Sequence, residues 1–294
     1  MTNGRWELLR ALGAIADSPA DARTASAPLG LDLIGDAEHT EVFVLNCPPY
    51  ASVYLGPEGG LGGEGTDRVA GFWRAIGITP PAEPDHLAAL LGLYAALGEA
   101  AADTRQASTA DALARARRAL YWEHLGPWLP GYLDAVADLA TPVLPGWAAL
   151  TRKAITAESA DGNAGGPLPL ALRAAPPPLT SDCGLGEMLD AIIAPVRSGL
   201  IITRRRLARG AGHAGAGHRI GERRFTLRAM LEQAPASTLG WLHDEARQWS
   251  RRHAARAASD TVAGWWAARA GQSARVLAAA AAAARETTGA SHGR

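Results

Sequence analysis

The sequence predicts an all-α protein. Apolar residues recur at three- and four-residue spacing through both halves, helix-start and helix-stop residues bracket those stretches, and strand evidence is confined to one short run. Trp6, Leu8, Leu9, Leu12 and Ile15 fit a first helical face. Val42-Phe43-Val44-Leu45 is apolar without a break and has strand character, but it lies between helical patterns and is followed closely by Pro48-Pro49. Val69, Phe72, Trp73 and Ile76 make a second face that Gly77 stops. Pro84 suits a first helical position because its missing N–H would be unpaired there, and Asp85 then falls where the helix dipole favours an anion. Leu87, Leu90, Leu91, Tyr94 and Leu97 continue from it. Ser108 and Asp111 resemble a capping box ahead of Leu113, Ala116, Leu120 and His124, with Gly126 as the stop. Three further patterns follow: Met188, Ile192 and Ile193; Phe225, Leu227, Met230 and Leu231; Leu239, Trp241 and Leu242. Residues 259–286 read as a last, alanine-rich helix around Val262, Trp265, Trp266 and Leu277.

With 294 residues, 48% of them apolar and 20% charged, the chain can bury a substantial core, which excludes general disorder, a collagen-like fibre and a disulfide scaffold. Cys47 and Cys183 lie far apart and form no Cys-x-x-Cys spacing, as expected of free thiols. No run reaches the roughly 18 to 20 apolar residues of a membrane span. Near the start, Arg10 interrupts the apolar residues that a secretory leader needs, so the expectation is a cytoplasmic protein without membrane insertion.

Charge divides the chain. Residues 1–150 carry 9 Arg against 18 acidic residues, while 151–294 carry 20 basic against 11 acidic, giving formal charges of −9 and +9. Between them, Ser159 to Pro167 and Pro176-Pro177-Pro178 lack periodicity and read as linker. The expected organisation is an all-α domain at 1–158, a flexible Gly/Pro-rich linker at 159–179 and a basic helical extension at 180–294.

Catalytic templates fit poorly. Gly59-Gly60-Leu61-Gly62-Gly63-Glu64-Gly65 lacks the Lys-Ser/Thr of a phosphate loop and the preceding strand of a dinucleotide fold. His213 and His218, read in a Gly/Ala loop, have no Cys or carboxylate nearby to complete a metal shell. Glu83-Pro84-Asp85-His86 is a compact titratable cluster with no nucleophile beside it. The expectation is a non-enzyme with no cofactor, no metal and no catalytic residue. The run Arg204-Arg205-Arg206, continued by Arg209, Arg219, Arg223, Arg224 and Arg228, raises a nucleic-acid-binding regulator as the alternative. The acidic first half and the lack of a recognisable DNA-binding motif favour a solvated or domain-packing basic face.

One series of motifs is specific as a set. Pro48-Pro49-Tyr50-Ala51-Ser52-Val53-Tyr54-Leu55-Gly56 is followed by Leu61-Gly62-Gly63-Glu64, Val69-x-x-Phe72-Trp73, Pro84-Asp85-His86-Leu87, and His124-Leu125-x-x-Trp128-x-Pro130-x-Tyr132. Over about residues 45–150 this resembles the TorD/DmsD/NarJ family of redox-enzyme maturation chaperones. The resemblance implies a cytoplasmic helical protein that binds the catalytic subunit of a molybdoenzyme, commonly at its twin-arginine leader, until the cofactor is loaded. It also implies that Tyr50, Ser52 and Tyr54 occupy the family's tyrosine-serine-tyrosine positions. Asp85 and His86 match the pair associated with leader binding, and His124, Trp128 and Pro130 match the second motif. The segment after Asp-His-Leu lacks the family's glutamate, and the second half has no counterpart in short members.

A leader of that kind presents two guanidinium groups ahead of an apolar segment, so its receptor should combine carboxylates with an aromatic-lined apolar groove. The acidic first half attracts such a peptide at a distance, and Trp73, Tyr94, Trp122 and Trp128 offer aromatic faces. Trp73 and Tyr94 equally fit core positions, and the hydroxyls of Tyr50 and Tyr54 suit either a ligand or the pinning of their loop. Asp85 and His86 read as a solvent-reachable pair beside that groove, and Glu83 is counted among the candidate peptide-binding residues with them. A homodimer is compatible with the sequence, and so is docking of the basic extension on the acidic half.

Overall fold

The computed structural model describes residues 3–139, 144–159, 167–217 and 221–292, and it separates into two compact units. The first comprises Met1–Gly56 and Gly60–Arg173, the second Pro57–Gly59 and Ala174–Arg294. No strand occurs among the described residues; Tyr50 and His86 form an isolated antiparallel bridge.

In the first unit, α1 (Asn3–Asp17) buries Trp6, Leu9, Leu12, Ile15 and Ala16, three to four residues apart as one helical face requires. Ser18 caps α2 (Pro19–Ser26) by accepting the Asp21 N–H at 3.1 Å. The helix α3 (Asp36–His39) runs on as π-helical turns over Thr40–Asn46, where the Cys47 N–H reaches back five residues to the Val42 carbonyl at 2.7 Å. The unbroken run Val42–Leu45 is therefore helical, with Val42 and Phe43 inside and Val44 and Leu45 outside. Helices α4 (Ala51–Leu55), α5 (Gly63–Ala75), α6 (Leu87–Asp103) and α7 (Ala107–Leu120) follow. A second set of π turns, Tyr121–Leu125, extends α7, and then come α8 (Leu129–Ala137), α9 (Leu144–Ser159) and α10 (Leu170–Arg173).

Helices α1 and α6 pack closely because glycines remove side chains at both ends of their contact. A Cβ at Gly98 would sit 2.3 Å from the Trp6 ring, and one at Gly13 would sit 3.0 Å from the Ala88 Cα. The end of α9 is drawn onto the same assembly through the buried Glu158 carboxylate, which accepts hydrogen bonds from Arg5, from Tyr94 Oη at 2.8 Å and from Arg117 at 3.1 Å. Arg5 and Arg117 also lie over the Trp6 ring, 4.6 and 5.2 Å from its centre.

Two sequence-based helix starts are corrected. Helix α6 begins at Leu87 with His86 as its cap, so Pro84 and Asp85 precede it; helix α7 begins at Ala107 after Gln106, which leaves Ser108 inside the first turn. Of the segment 159–179, residues 160–166 lie outside the described residues. The stretch beyond them is held: the Leu170 N–H donates to Glu123 at 2.7 Å, and Trp122 Nε1 donates to the Pro167 carbonyl at 3.2 Å.

The second unit contains α11 (Leu185–Ile193), α12 (Pro195–Ser198), α13 (Arg204–Ala214), α14 (Arg223–Gln233), α15 (Pro235–Ala254) and α16 (Thr261–His292). The long pair α15 and α16 forms a hairpin, joined by Ser250 Oγ donating to the Ala267 carbonyl at 3.1 Å and by stacking of Trp249, His253 and Trp266. Gly199, with φ of 76°, brings its backbone against Ala270, where a Cβ would meet the Ala270 nitrogen at 2.4 Å. His213 stands within α13 rather than in a loop, and His218 lies outside the described residues. Part of the basic run is used internally. Arg206 is buried between Glu245 and the Trp249 ring, Arg223 donates to the carbonyls of Ile202 and Gly59, and Arg224 pairs with Asp190. No helix among the described residues is long and apolar enough to cross a membrane.

Candidate peptide-binding site

The motif residues meet where α4 and α6 begin. Tyr50 enters α4 in an extended conformation (φ −119°, ψ 132°) and offers no side-chain cap, so the first N–H groups of α4 need acceptors from elsewhere. Asp85 supplies them from across the fold. Its Oδ2 accepts the Ser52 N–H at 3.0 Å, its carbonyl accepts the Ala51 N–H at 3.0 Å, and its Oδ1 accepts Thr66 Oγ1 from α5 at 3.1 Å. In return the Leu87 N–H donates to the Pro49 carbonyl at 2.8 Å. One carboxylate thus joins α4, α5 and the start of α6, and the surrounding low dielectric strengthens each of these bonds.

His86 completes the junction. Its Nδ1 accepts the Ala88 N–H at 3.2 Å, which leaves the ring proton on Nε2, and the Asp17 carboxylate lies 3.5 Å from the same Nδ1. Burial pushes the His86 pKa down against the pull of Asp17, Glu83 and Asp85. Tyr50 meets the imidazole edge-on at 4.7 Å, and burial together with a hydrogen bond to Glu83 pushes its phenol up to about 12. His39 belongs to the same neighbourhood, close enough to Asp17 and His86 for their charges to act on it. Burial lowers its pKa, and its Nε2 is buried without a hydrogen-bond partner.

Asp85 is 2% exposed and His86 4%, so the expectation of a solvent-reachable Asp-His pair is corrected: both groups hold the frame, and Glu83 is the exposed member of that cluster. Ser52 is buried, its Oγ has no partner, and Gly65 lies so close that a Cβ there would approach the Ser52 Cα to 2.8 Å. Trp73 joins the frame by donating Nε1 to the Pro84 carbonyl at 3.1 Å. Tyr54 and Trp128 are stacked at 5.2 Å inside the core, where Tyr132 meets both rings edge-on. Tyr54 Oη donates to the Pro48 carbonyl at 3.0 Å, pinning the loop before α4. Trp128 Nε1 donates to the His124 carbonyl at 2.7 Å.

His124 stands apart from Asp85 and His86. It faces Phe72 edge-on at 5.1 Å, and burial, aided by Arg68, pushes its pKa down to about 4. Pro130 opens α8 and its carbonyl receives Arg152 at 3.4 and 3.5 Å. The structure therefore brings Tyr50, Ser52, Trp73, Glu83, Asp85 and His86 to one junction and places Tyr54 and Trp128 in the core. Thr66, Asp17 and His39 also belong there and were missed from sequence. Asp17 could have been found as the acid at the end of an apolar helix, whereas Thr66 carries no local signal. No group of three or more potential metal ligands occurs among the described residues.

The motif residues of the helical unit converge on the junction where α4 and α6 begin. The family model described as nitrate reductase delta subunit matches residues 31–134, which supports the resemblance to the NarJ/TorD type of chaperone. That family consists of molybdoenzyme maturation chaperones. Neither a curated protein nor a solved structure matches the chain.

Proposed function

We propose that the protein is a cytoplasmic, non-enzymatic chaperone that binds the twin-arginine leader, the apo catalytic subunit, or both, of a molybdoenzyme and supports cofactor loading before export or assembly. The observation that carries this reading is the family match over 31–134, because that stretch contains α3 to α7, both sets of π turns and all of the α4–α6 junction except Asp17. The chemistry of the junction is compatible with it. Exposed Glu83 and half-exposed Asp17 border Tyr50, while buried Asp85 and His86 fix the backbone that presents them. In this reading Tyr50, Ser52, Tyr54, Trp73, Glu83, Asp85, His86, His124, Trp128 and Pro130 form the peptide site, its exposed members touching the client and its buried members positioning them. Bound client is shielded from the export machinery, and folding around the cofactor withdraws the exposed segment and releases it. Residues 1–158 act as the chaperone domain, 159–179 as linker and 180–294 as an extension.

The test uses the purified full chain with the labelled leaders and the apo catalytic subunits of the molybdoenzymes of its host. Saturable binding of either supports the reading, and the absence of saturable binding to both overturns it.

A further inference from the structure

With the Asp-His pair buried, the junction offers the client little beyond Glu83, Asp17 and Tyr50. The segment Asp36–Asn46 offers more through its pattern of exposure. Its inner face is fully committed: His39, Val42, Phe43 and Asn46 are buried, and Phe43 packs edge-on to Trp147 at 5.5 Å. Its outer face is not. Val44 is 61% and Leu45 37% exposed, and among the described residues they are the one adjacent pair of large apolar side chains left in water.

Carboxylates accompany them. Residues 31–46 carry Asp32, Asp36, Glu38 and Glu41 and no Arg or Lys. Glu38, Glu41 and Leu45 follow one another at three- and four-residue spacing along one stripe, with Val44 beside it. Asn46 Nδ2 donates to Glu41 Oε1 at 2.9 Å and holds that carboxylate in place. Glu38 is part-exposed and keeps an acidic side chain at the outer face of the segment. An acidic end and an apolar end one turn away make the complement of a peptide in which arginines precede an apolar stretch. An extended chain covers about 3.3 Å per residue, so two or three residues between the arginines and the first apolar side chain bridge one helical turn.

We propose that the stripe Glu38–Glu41–Val44–Leu45 is the docking face for a twin-arginine leader, with guanidinium groups at Glu38 and Glu41 and the leader's apolar segment across Val44 and Leu45. This rests on the chaperone reading and adds to the exposed members of the junction a contact surface outside the Asp85–His86 frame. Charge-assisted hydrogen bonds to the carboxylates favour arginine, and covering Val44 and Leu45 supplies apolar burial.

The experiment measures fluorescence anisotropy of labelled synthetic twin-arginine leaders from the host's molybdoenzymes against the full chain and its variants. Val44→Ser with Leu45→Ser, and separately Glu38→Arg, should each weaken binding about tenfold or more, whereas Leu61→Ser, which alters a more exposed leucine elsewhere, should not. Unfolding midpoints of the variants control for folding. In the charge swap, a leader with Glu-Glu in place of Arg-Arg should bind the Glu38→Arg variant more tightly than the wild type. Leader binding that survives all these changes overturns the docking face and leaves the chaperone reading standing, as does a wild type that binds apo-subunit but no leader. A wild type that binds neither removes both.

Discussion

Replacing Asp85 by alanine tests whether this residue supports the fold or touches the client. The substitution leaves the Ser52 N–H buried without an acceptor and removes the partner of Thr66 Oγ1. A hydrogen bond to a charged acceptor contributes about 1.5–3 kcal/mol, and the Thr66 hydroxyl, being only half-buried, recovers part of its loss from water. The expected destabilisation is therefore about 2–4 kcal/mol, which for a unit of this size lowers its melting temperature by roughly 5–12 °C. Asp85→Asn should behave differently. Its carbonyl still accepts the Ser52 N–H, and the Thr66 hydroxyl can turn to accept from the amide, so the loss falls to about 1 kcal/mol. Circular dichroism melts of wild type and both variants, paired with leader binding at a temperature where all are folded, separate the two roles. A supporting residue gives a large melting shift for alanine, a small one for asparagine, and near-normal affinity in the folded variants. An alanine variant that melts like the wild type yet no longer binds would refute the reasoning and make Asp85 a contact.

Other parts of the structure make further predictions. The pKa of His124 is held near 4 in the folded state, below its ordinary value of 6.5, so the unfolded chain takes up the proton first; stability is full above pH 6.5 and falls towards pH 4, by up to about 3 kcal/mol. His124→Leu should flatten that part of the profile in urea titrations across this range. Glu158→Gln should cost about 3 kcal/mol, because Arg117 would keep its charge in a mostly buried position without its carboxylate; thermal melts check this. Two glycines of α6 should respond in opposite directions. Gly98→Ala drives a methyl group into Trp6 and should destabilise by about 1–3 kcal/mol, while Gly92→Ala meets nothing within 4 Å and should stabilise by about 0.5–1 kcal/mol, as urea midpoints would show.

Helix faces were legible from sequence where burial follows a 3.6-residue period. Leu9, Leu12 and Ile15 of α1, and Leu87, Leu90, Leu91 and Tyr94 of α6, are buried as their spacing requires. Helix starts were less legible because local capping rules compete with distant partners. Asp85 has the right chemistry for the first turn of α6, but α4 and Thr66 claim its carboxylate, and His86 takes over the cap. The π turns at Thr40–Asn46 and Tyr121–Leu125 escape any fixed template, and an unbroken apolar run such as Val42–Leu45 does not reveal which half will face water. The motif series directed attention to the junction of α4 and α6 through Tyr50, Asp85 and His86. It was silent on their burial, since that depends on the end of α1 and on Thr66, neither of which is near them in sequence.

The Glu158 cluster also sets a timetable for synthesis. Arg5 and Glu158 are 153 residues apart, and Trp147 Nε1 donates to the Leu12 carbonyl across 135 residues. At translation rates of about 5–20 residues per second, α1 emerges from the ribosome roughly 8–30 s before the residue that anchors it. Throughout that interval Arg5, which lies over Trp6, lacks its Glu158 partner, so the nascent first unit is itself an incomplete chain. A protein proposed to guard incomplete clients must first pass through an incomplete state of its own, and it leaves that state when the end of α9 closes over α1.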